Sequence, residues 1–590
     1  MKTIRDLTFL YQNPHDPQML VDRETAKQDI ETFVQKRKWN DTYLSDAAVL
    51  KEALDEYCVL MEQYPYGLKE AVYFELQTTI TDDDVLRSKK TQADTLSREL
   101  FVQIQFFQLS LSKIVEEYQR VFLHSPLLTA YAYFLEKLFK NARYTLSEAE
   151  EKVITMLSAP AYQNRVDMSK LFLSREWGYV TVKDQDYTLE ELGTLTNNPD
   201  QAVRDGAAQQ INIILLRKID VCEQEMNAII EYNYILSSLR GYPRVDQSAL
   251  IRDDLDAETV DVLVATVTNA YSMAHEVYQI RATLLWKETL KYHERNVTDF
   301  GTTIQKKYSF EEGVSLVRSV FNELWSSYGV LLDELLSTGM IDVYSKKGKR
   351  GWAFNYGLGK WWGNMILLNR TNELNDVSTL AHEMGHAINI DAVTKQQHGL
   401  NFWYGGYFLA EVASTFFEWF VIKKVLAEAT VEEKKMILIK KLTNEVNTIF
   451  RQIACYTFER DLHETRKEKG YMGKDQIGNI FKTHMAAYMG QPVDLSSGAE
   501  NRRVQWHHIR TFFYTYSYAW GLLLAKALQR MVKENPSAMN DIQKYYLSVG
   551  DGASAKTIFA NLGIDITKPA IWEQGLQEFA DDLAELKALL

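Results

Sequence analysis

His382-Glu383-Met384-Gly385-His386 has the residue types and the spacing to build a metal site on one turn of helix. Two histidines four apart project from the same helical face, near enough for both imidazoles to bind one Zn²⁺. Glu383 sits about a third of a turn round, where its carboxylate can reach a water at the metal without becoming a ligand. Three other His-Glu pairs act as internal controls. His275-Glu276, His293-Glu294 and His463-Glu464 all lack a histidine four residues after the first. Gly385 costs such a helix about 1 kcal/mol relative to alanine, which makes sense if another backbone or a substrate must come close.

Two imidazoles leave a catalytic zinc one protein ligand short, because such sites usually take three and keep a position open. The metzincin pattern would need a glycine at 389 and a histidine at 392, and the chain has Asn389 and Ala392. A glutamate on a second helix is the remaining option. The first glutamate after His386 is Glu411, which begins an apolar helix just after Gly405-Gly406. A carboxylate buried there needs a partner, and a metal would supply one. Asp391 lies on the motif helix and turns back poorly, while His398 falls in a polar loop. Glu418, on the same helical face as Glu411, suits either an imidazole N–H or a surface salt bridge.

The spacing from His382 to Glu411, within Leu409-Ala-Glu-Val-Ala-Ser-Thr-Phe416, resembles the M3 family of zinc oligopeptidases, in particular its oligoendopeptidase F branch. The runs Ile341 to Gly351 and Ile366 to Asn369 carry the same resemblance, which is strongest over 340–425 and 505–525. It implies a mainly α fold: a large helical metallopeptidase with a deep central channel and a small β-sheet next to the metal helix. It also implies one Zn²⁺ held by His382, His386 and Glu411, with Glu383 as general base and short peptides as substrates. In the segment Trp506 to Gly521 it aligns His508, Tyr514 and Tyr518 with the family's oxyanion-stabilising groups, and His507 stands as the alternative to His508. Taken alone, that aromatic cluster reads as core packing. The activity implied is hydrolysis of internal bonds in short oligopeptides. A dipeptidyl or carboxypeptidase of a related helical family differs only in its products. A catalytically idle peptide-binding protein would not need His382, Glu383, His386 and Glu411 intact.

The surrounding chain must hold these groups in place. Of its 590 residues 46% are hydrophobic and 25% charged, ordinary globular values that allow a sizeable core. Ten prolines occur and none lies between Pro243 and Pro492, a gap that long helices explain. Residues 86–124 and 202–239 carry an amphipathic helical pattern, and Asn197-Asn198-Pro199-Asp200 reads as a turn before a new helix. These features predict a helical N-terminal domain over 1–195 and a catalytic domain over 196–590. Ile341 to Tyr344 and Asn364 to Asn369 predict a small sheet upstream of the motif. The strand Met365 to Asn369 is either a core strand or one that pairs with an extended substrate. Asn375 or Asp376 is placed to cap the motif helix, with Val377 to Ile390 as its body. A net charge of −13 without a basic stripe speaks against nucleic acid as a partner. No apolar run suits a membrane span, and the start lacks a secretory core. With only three scattered cysteines, a cytoplasmic location is expected.

Overall fold

The proline-free interval is mostly helical among the described residues, as the absence of helix breakers allows, with short strands between Leu290 and Arg370. Helices take up 72% of the chain, and every sheet among the described residues has two or three strands, so the fold is mainly α. The computed structural model describes all residues except 65–66, 301–305, 352, 361–362, 398–399 and 402–406, and only the backbone at 159, 407 and 408. Residues 201–239 form one continuous 39-residue helix, α1 (Gln201–Leu239). Asp200 starts it by accepting the Ala202 N–H at 2.8 Å, as the turn sequence predicts.

The other amphipathic stretch is helical but broken, into Asp84–Phe101, Gln105–Ser112 and Glu116–Leu123. A 3₁₀ turn ending at Ile104 and a non-helical link at Ile114 separate these pieces, and both side chains are buried there. A periodic pattern survives such breaks, so spacing alone does not reveal them.

Two compact units are discontinuous in sequence. The first comprises residues 1–145, 306–425 and 528–564, and the second 146–305, 426–527 and 565–590. The boundary expected near residue 195 lies inside the second unit. The first 145 residues cluster with the site-bearing segment because they share its core. Met365 is buried in the same apolar cluster as Phe33, Phe74 and Phe107.

A three-stranded sheet in the first unit supports the motif. Its strands are β1 (Ile341–Tyr344), β2 (Phe354–Gly357) and β3 (Asn364–Arg370), in the order β1-β3-β2. β3 pairs in parallel with β1, Ile366 opposite Ile341, and antiparallel with β2, Leu367 opposite Phe354. Met365 to Leu368 are all buried, so the uninterrupted apolar run reads as a strand covered on both faces. The reading of Met365 to Asn369 as a substrate-pairing strand is corrected by this order. Both hydrogen-bonding edges of β3 are taken by its neighbours, and β2 is an outer strand of the sheet among the described residues. The glycine-punctuated stretch from Gly351 to Gly363 conceals that strand in the sequence.

The motif helix α2 (Leu374–Gln396) packs across β2 and β3. Its N-cap is Glu373 rather than Asn375 or Asp376. Asp376 serves from inside the first turn, its carboxylate accepting the N–H groups of Thr371 and Glu373, each at 2.8 Å. Asn364 donates to the Ala387 carbonyl at 3.2 Å and Asn355 to that of Glu383 at 3.4 Å, tying both strands to the helix. Gly357 lets the sheet approach closely, since a Cβ there would meet Ile390 Cδ1 at 2.6 Å.

Candidate active site

Three donor groups converge in the first unit. His382 and His386 leave the same face of α2 with ring centroids 5.0 Å apart. The facing helix α3 (Tyr407–Glu428) brings in Glu411, whose Oε2 lies 3.5 Å from His382 Nε2 and 3.9 Å from His386 Nε2. One ligand atom from each of the three falls within 4.8 Å of the others. A tetrahedral Zn²⁺ with bonds of about 2.0–2.1 Å holds neighbouring ligand atoms about 3.3–3.4 Å apart. The donor set therefore fits a divalent ion in both chemistry and spacing.

The close approach of the two helices depends on Gly385. A Cβ there would stand 2.7 Å from Ser414 Cα and 2.9 Å from the Ala413 carbonyl oxygen, both backbone atoms of α3. The glycine inside the motif is thus the point where the imidazole helix and the carboxylate helix touch.

Neighbouring side chains fix the donors. His382 Nδ1 donates to Glu418 Oε2 at 3.1 Å, which leaves Nε2 turned towards Glu411. Ser378 donates in turn to the other Glu418 oxygen. Ser414 donates to Glu411 Oε2 at 3.1 Å. Burial disfavours a charged His382, but hydrogen bonds to Glu411 and Glu418 outweigh it and hold the ring well above the usual histidine range. Burial pushes His386 down to about 4, which leaves it neutral, the form that ligates metals. Burial would also raise Glu411, yet its hydrogen bond to His382 and the nearby His386 keep it ionised, at about 2. Two carboxylates facing one imidazole mark a place that attracts a cation.

Glu383 is not part of that set. It is 5% exposed, and its Oε2 is buried without a hydrogen-bond partner among the described residues. Burial pushes its carboxyl up to about 7. A buried carboxylate oxygen left without a donor beside a cation site suits an acid–base group that meets water or substrate there.

The remaining sequence candidates cluster in the second unit. The Tyr514 hydroxyl bonds His508 Nδ1, and the two rings stack at 5.4 Å. Tyr518, on the helix α4 (Tyr516–Glu534), lies 5.7 Å from His508 and 5.8 Å from Tyr514 between ring centroids. Burial brings His508 down to about 4, so its ring is neutral. Tyr516 departs from the group, buried and donating to Asp253 at 2.6 Å. His507 forms none of these ring contacts. Asp391 is engaged at 2.7 Å by Lys395, and His398 and Gly405-Gly406 lie outside the described residues. Ser378, Ser414 and Asn355 escaped the sequence reading. Two of them carried a signal: Ser378 is one helical turn before His382, and Ser414 one turn after Glu411.

The pattern of Peptidase family M3 matches residues 194–578, and that of Oligopeptidase F matches residues 111–175. The chain belongs to peptidase family M3. Among relatives, the oligoendopeptidase F homolog of Borreliella burgdorferi is 23% identical over 592 residues, covering 99% of this chain and 98% of that one. Two crystal structures share the M3 fold. The first, from Chlamydophila abortus, has a TM-score of 0.84 at 21% identity, covering 100% of this chain and 98% of the other. The second, oligoendopeptidase-F from Enterococcus faecium, has a TM-score of 0.70 at 17% identity, covering 97% and 98%. Among the described residues of this M3 chain, no helix is long and apolar enough to cross a membrane.

Proposed function

We propose that this M3 peptidase is a zinc-dependent endopeptidase that hydrolyses internal bonds of short oligopeptides. The observation that carries the reading is the convergence of Glu411 on the two Nε2 atoms of His382 and His386. His382, His386 and Glu411 would hold one Zn²⁺, with Glu418 and Ser414 fixing the orientation of the ligands. When bound, the ion supplies Lewis acidity that polarises the scissile carbonyl and lowers the pKa of water.

Glu383 takes the proton of the attacking water on its unpartnered oxygen and passes it to the departing amine. A carboxyl held near neutrality by burial suits both halves of that task. Tyr518 and neutral His508 donate to the oxyanion, and Tyr514 orients His508 through its Nδ1. The outer strand β2, joined to α2 through Asn355, pairs with the extended peptide backbone. A cytoplasmic location fits a peptide-degrading role.

Metal analysis together with hydrolysis of a blocked, internally quenched peptide tests the proposal. Wild-type protein should carry one Zn²⁺ and cut the peptide internally. Glu383→Gln should keep the metal and lose activity by about 10²–10⁴-fold, and Glu411→Ala should lose the metal. Strict trimming from a free C-terminus would move the assignment to a carboxypeptidase. Undiminished zinc in Glu411→Ala would remove Glu411 from the ligand set.

A further inference from the structure

A second recess, distinct from the metal ligands, lies wholly within the second unit. A cavity of about 180 Å³ is walled by Tyr162, Gln163, Lys170, His507, His508 and Tyr514. Its size suits a single side chain or chain terminus rather than a drug-sized ligand, which needs about 300 Å³ or more. One end of the wall is the His508–Tyr514 pair to which the proposed function assigns the oxyanion.

Several polar groups around this cavity are already committed. The Arg510 guanidinium makes a buried fork onto Glu225, with both contacts at 2.7 Å, and also donates to the carbonyls of Trp506 and Val504, each at 3.2 Å. The Tyr162 hydroxyl donates to the Arg510 carbonyl. The charge of Arg510 is therefore balanced, and Glu225 is not available to a ligand.

Other groups on the same wall keep their bonding capacity. Lys170 projects from the helix Asn164–Ser174, one turn beyond the buried Val166. Its ammonium comes within 4.0 Å of Asp167 and makes no shorter ion pair among the described residues. Asp167 in turn accepts from Gln163 Nε2 at 2.9 Å, which dilutes its hold on the lysine. The His507 imidazole and the Thr511 hydroxyl also line the cavity, and neither side chain makes a hydrogen bond among the described residues. Partial burial, with Arg510 and Lys170 adding to the effect and Glu225 opposing it, holds the His507 imidazole below its usual pKa. A cation and two neutral donors on one wall, beside the oxyanion pair, match a carboxylate.

We propose that this cavity is a subsite for a carboxylate of the bound peptide, with Lys170 as counter-ion and His507 and Thr511 as hydrogen-bond donors. The inference rests on the peptidase reading and adds a substrate class to it: peptides bearing an acidic residue or a free C-terminal carboxylate at a fixed distance from the cut. It also gives His507 a part separate from that of His508.

Two peptide series separate the sources of the carboxylate. One scans Asp against Asn along a quenched peptide, and the other compares a free C-terminal acid with its amide. The readout is the ratio of kcat/KM within each pair. Wild-type protein should favour the carboxylate partner by about two- to five-fold at low salt, the range of a solvent-exposed ion pair. Lys170→Met should bring the ratio to about one, Lys170→Glu should invert it, and Lys170→Arg should retain it. A shift in the Asp/Asn ratio at one position identifies a side chain as the ligand, and a shift in the acid/amide ratio identifies the terminus. Ratios identical in wild type and Lys170→Met overturn the subsite while internal cleavage still upholds the peptidase. If wild-type protein cleaves no peptide in either series, the peptidase reading fails and this inference falls with it.

Discussion

Replacing Gly385 by alanine sets two physical effects against each other. In an unconstrained helix the change stabilises by about 1 kcal/mol. Here the added Cβ would sit 2.7 Å from Ser414 Cα, whereas ordinary contact begins at 3.4 Å. The deficit of 0.7 Å, 3.4 less 2.7, falls on backbone that cannot rotate away. α2 and α3 must therefore part, and Glu411, one turn from Ser414, moves with α3. Ligand distances in a metal site tolerate about 0.2 Å, so the displacement exceeds the tolerance by roughly threefold. Zinc affinity should fall about 10- to 100-fold, by analogy with the loss of an orienting partner. Peptide hydrolysis should fall on the order of 10²-fold, the cost of a misplacement near 1 Å. A chromophoric chelator competing for zinc, read beside kcat/KM, measures both quantities. Gly193→Ala is the control. That glycine lies in the helix Leu189–Leu195 with nothing within 4 Å of an added Cβ, and the change should leave zinc binding untouched. A Gly385→Ala protein that binds zinc and turns over peptide like wild type would refute the argument that this contact sets the ligand geometry.

Glu418→Ala should remove the acceptor that holds His382 Nδ1 and lower zinc affinity about 10- to 100-fold without removing a ligand; unchanged affinity in the same chelator competition would make Glu418 incidental. His463, in the second unit, supplies a pH test of its own. It is fully buried against Phe512 and Phe513, with ring centroids 4.8 and 4.7 Å away, and burial pushes it down to about 3. Its unfolded value is about 6.5, so between the two values the unfolded chain binds the extra proton. The stability is thus present above pH 6.5 and is lost as pH falls towards 3, by up to about 1.4 kcal/mol per pH unit. His463→Leu should flatten the dependence of Tm on pH over that window, and an unaltered slope would assign the acid sensitivity elsewhere.

Much of the site could be read from the chain because its geometry is local. Four-residue spacing puts His382 and His386 on one face of any helix, and elimination among the few carboxylates downstream leaves Glu411. Pairing order is not local. Nothing in Met365 to Asn369 distinguishes a central strand from an edge strand, and the strand that occupies one side of it hides between glycines. The cap was misplaced because Asp376 does work from the third helical position that resembles capping in sequence. Ser378 and Ser414 went unread because small hydroxyl residues are common in helices and become informative only once a carboxylate is known to face them. The boundary near residue 195 came from a real turn at Asn197 to Asp200, but compactness follows shared cores, and Met365 shares one with Phe33.

The discontinuous first unit bears on how the protein matures during synthesis. Both site helices are held by its last segment, residues 528–564. Asn389 of α2 donates to the Leu547 carbonyl at 2.7 Å, Gln529 donates to the Thr415 carbonyl of α3 at 3.0 Å, and Tyr546 donates to that of Leu409 at 2.5 Å. On the ribosome, the imidazoles and Glu411 emerge more than a hundred residues before these clasps. A nascent chain can present these side chains but cannot lock them, and the donor set becomes fixed only after residues 529–547 have emerged.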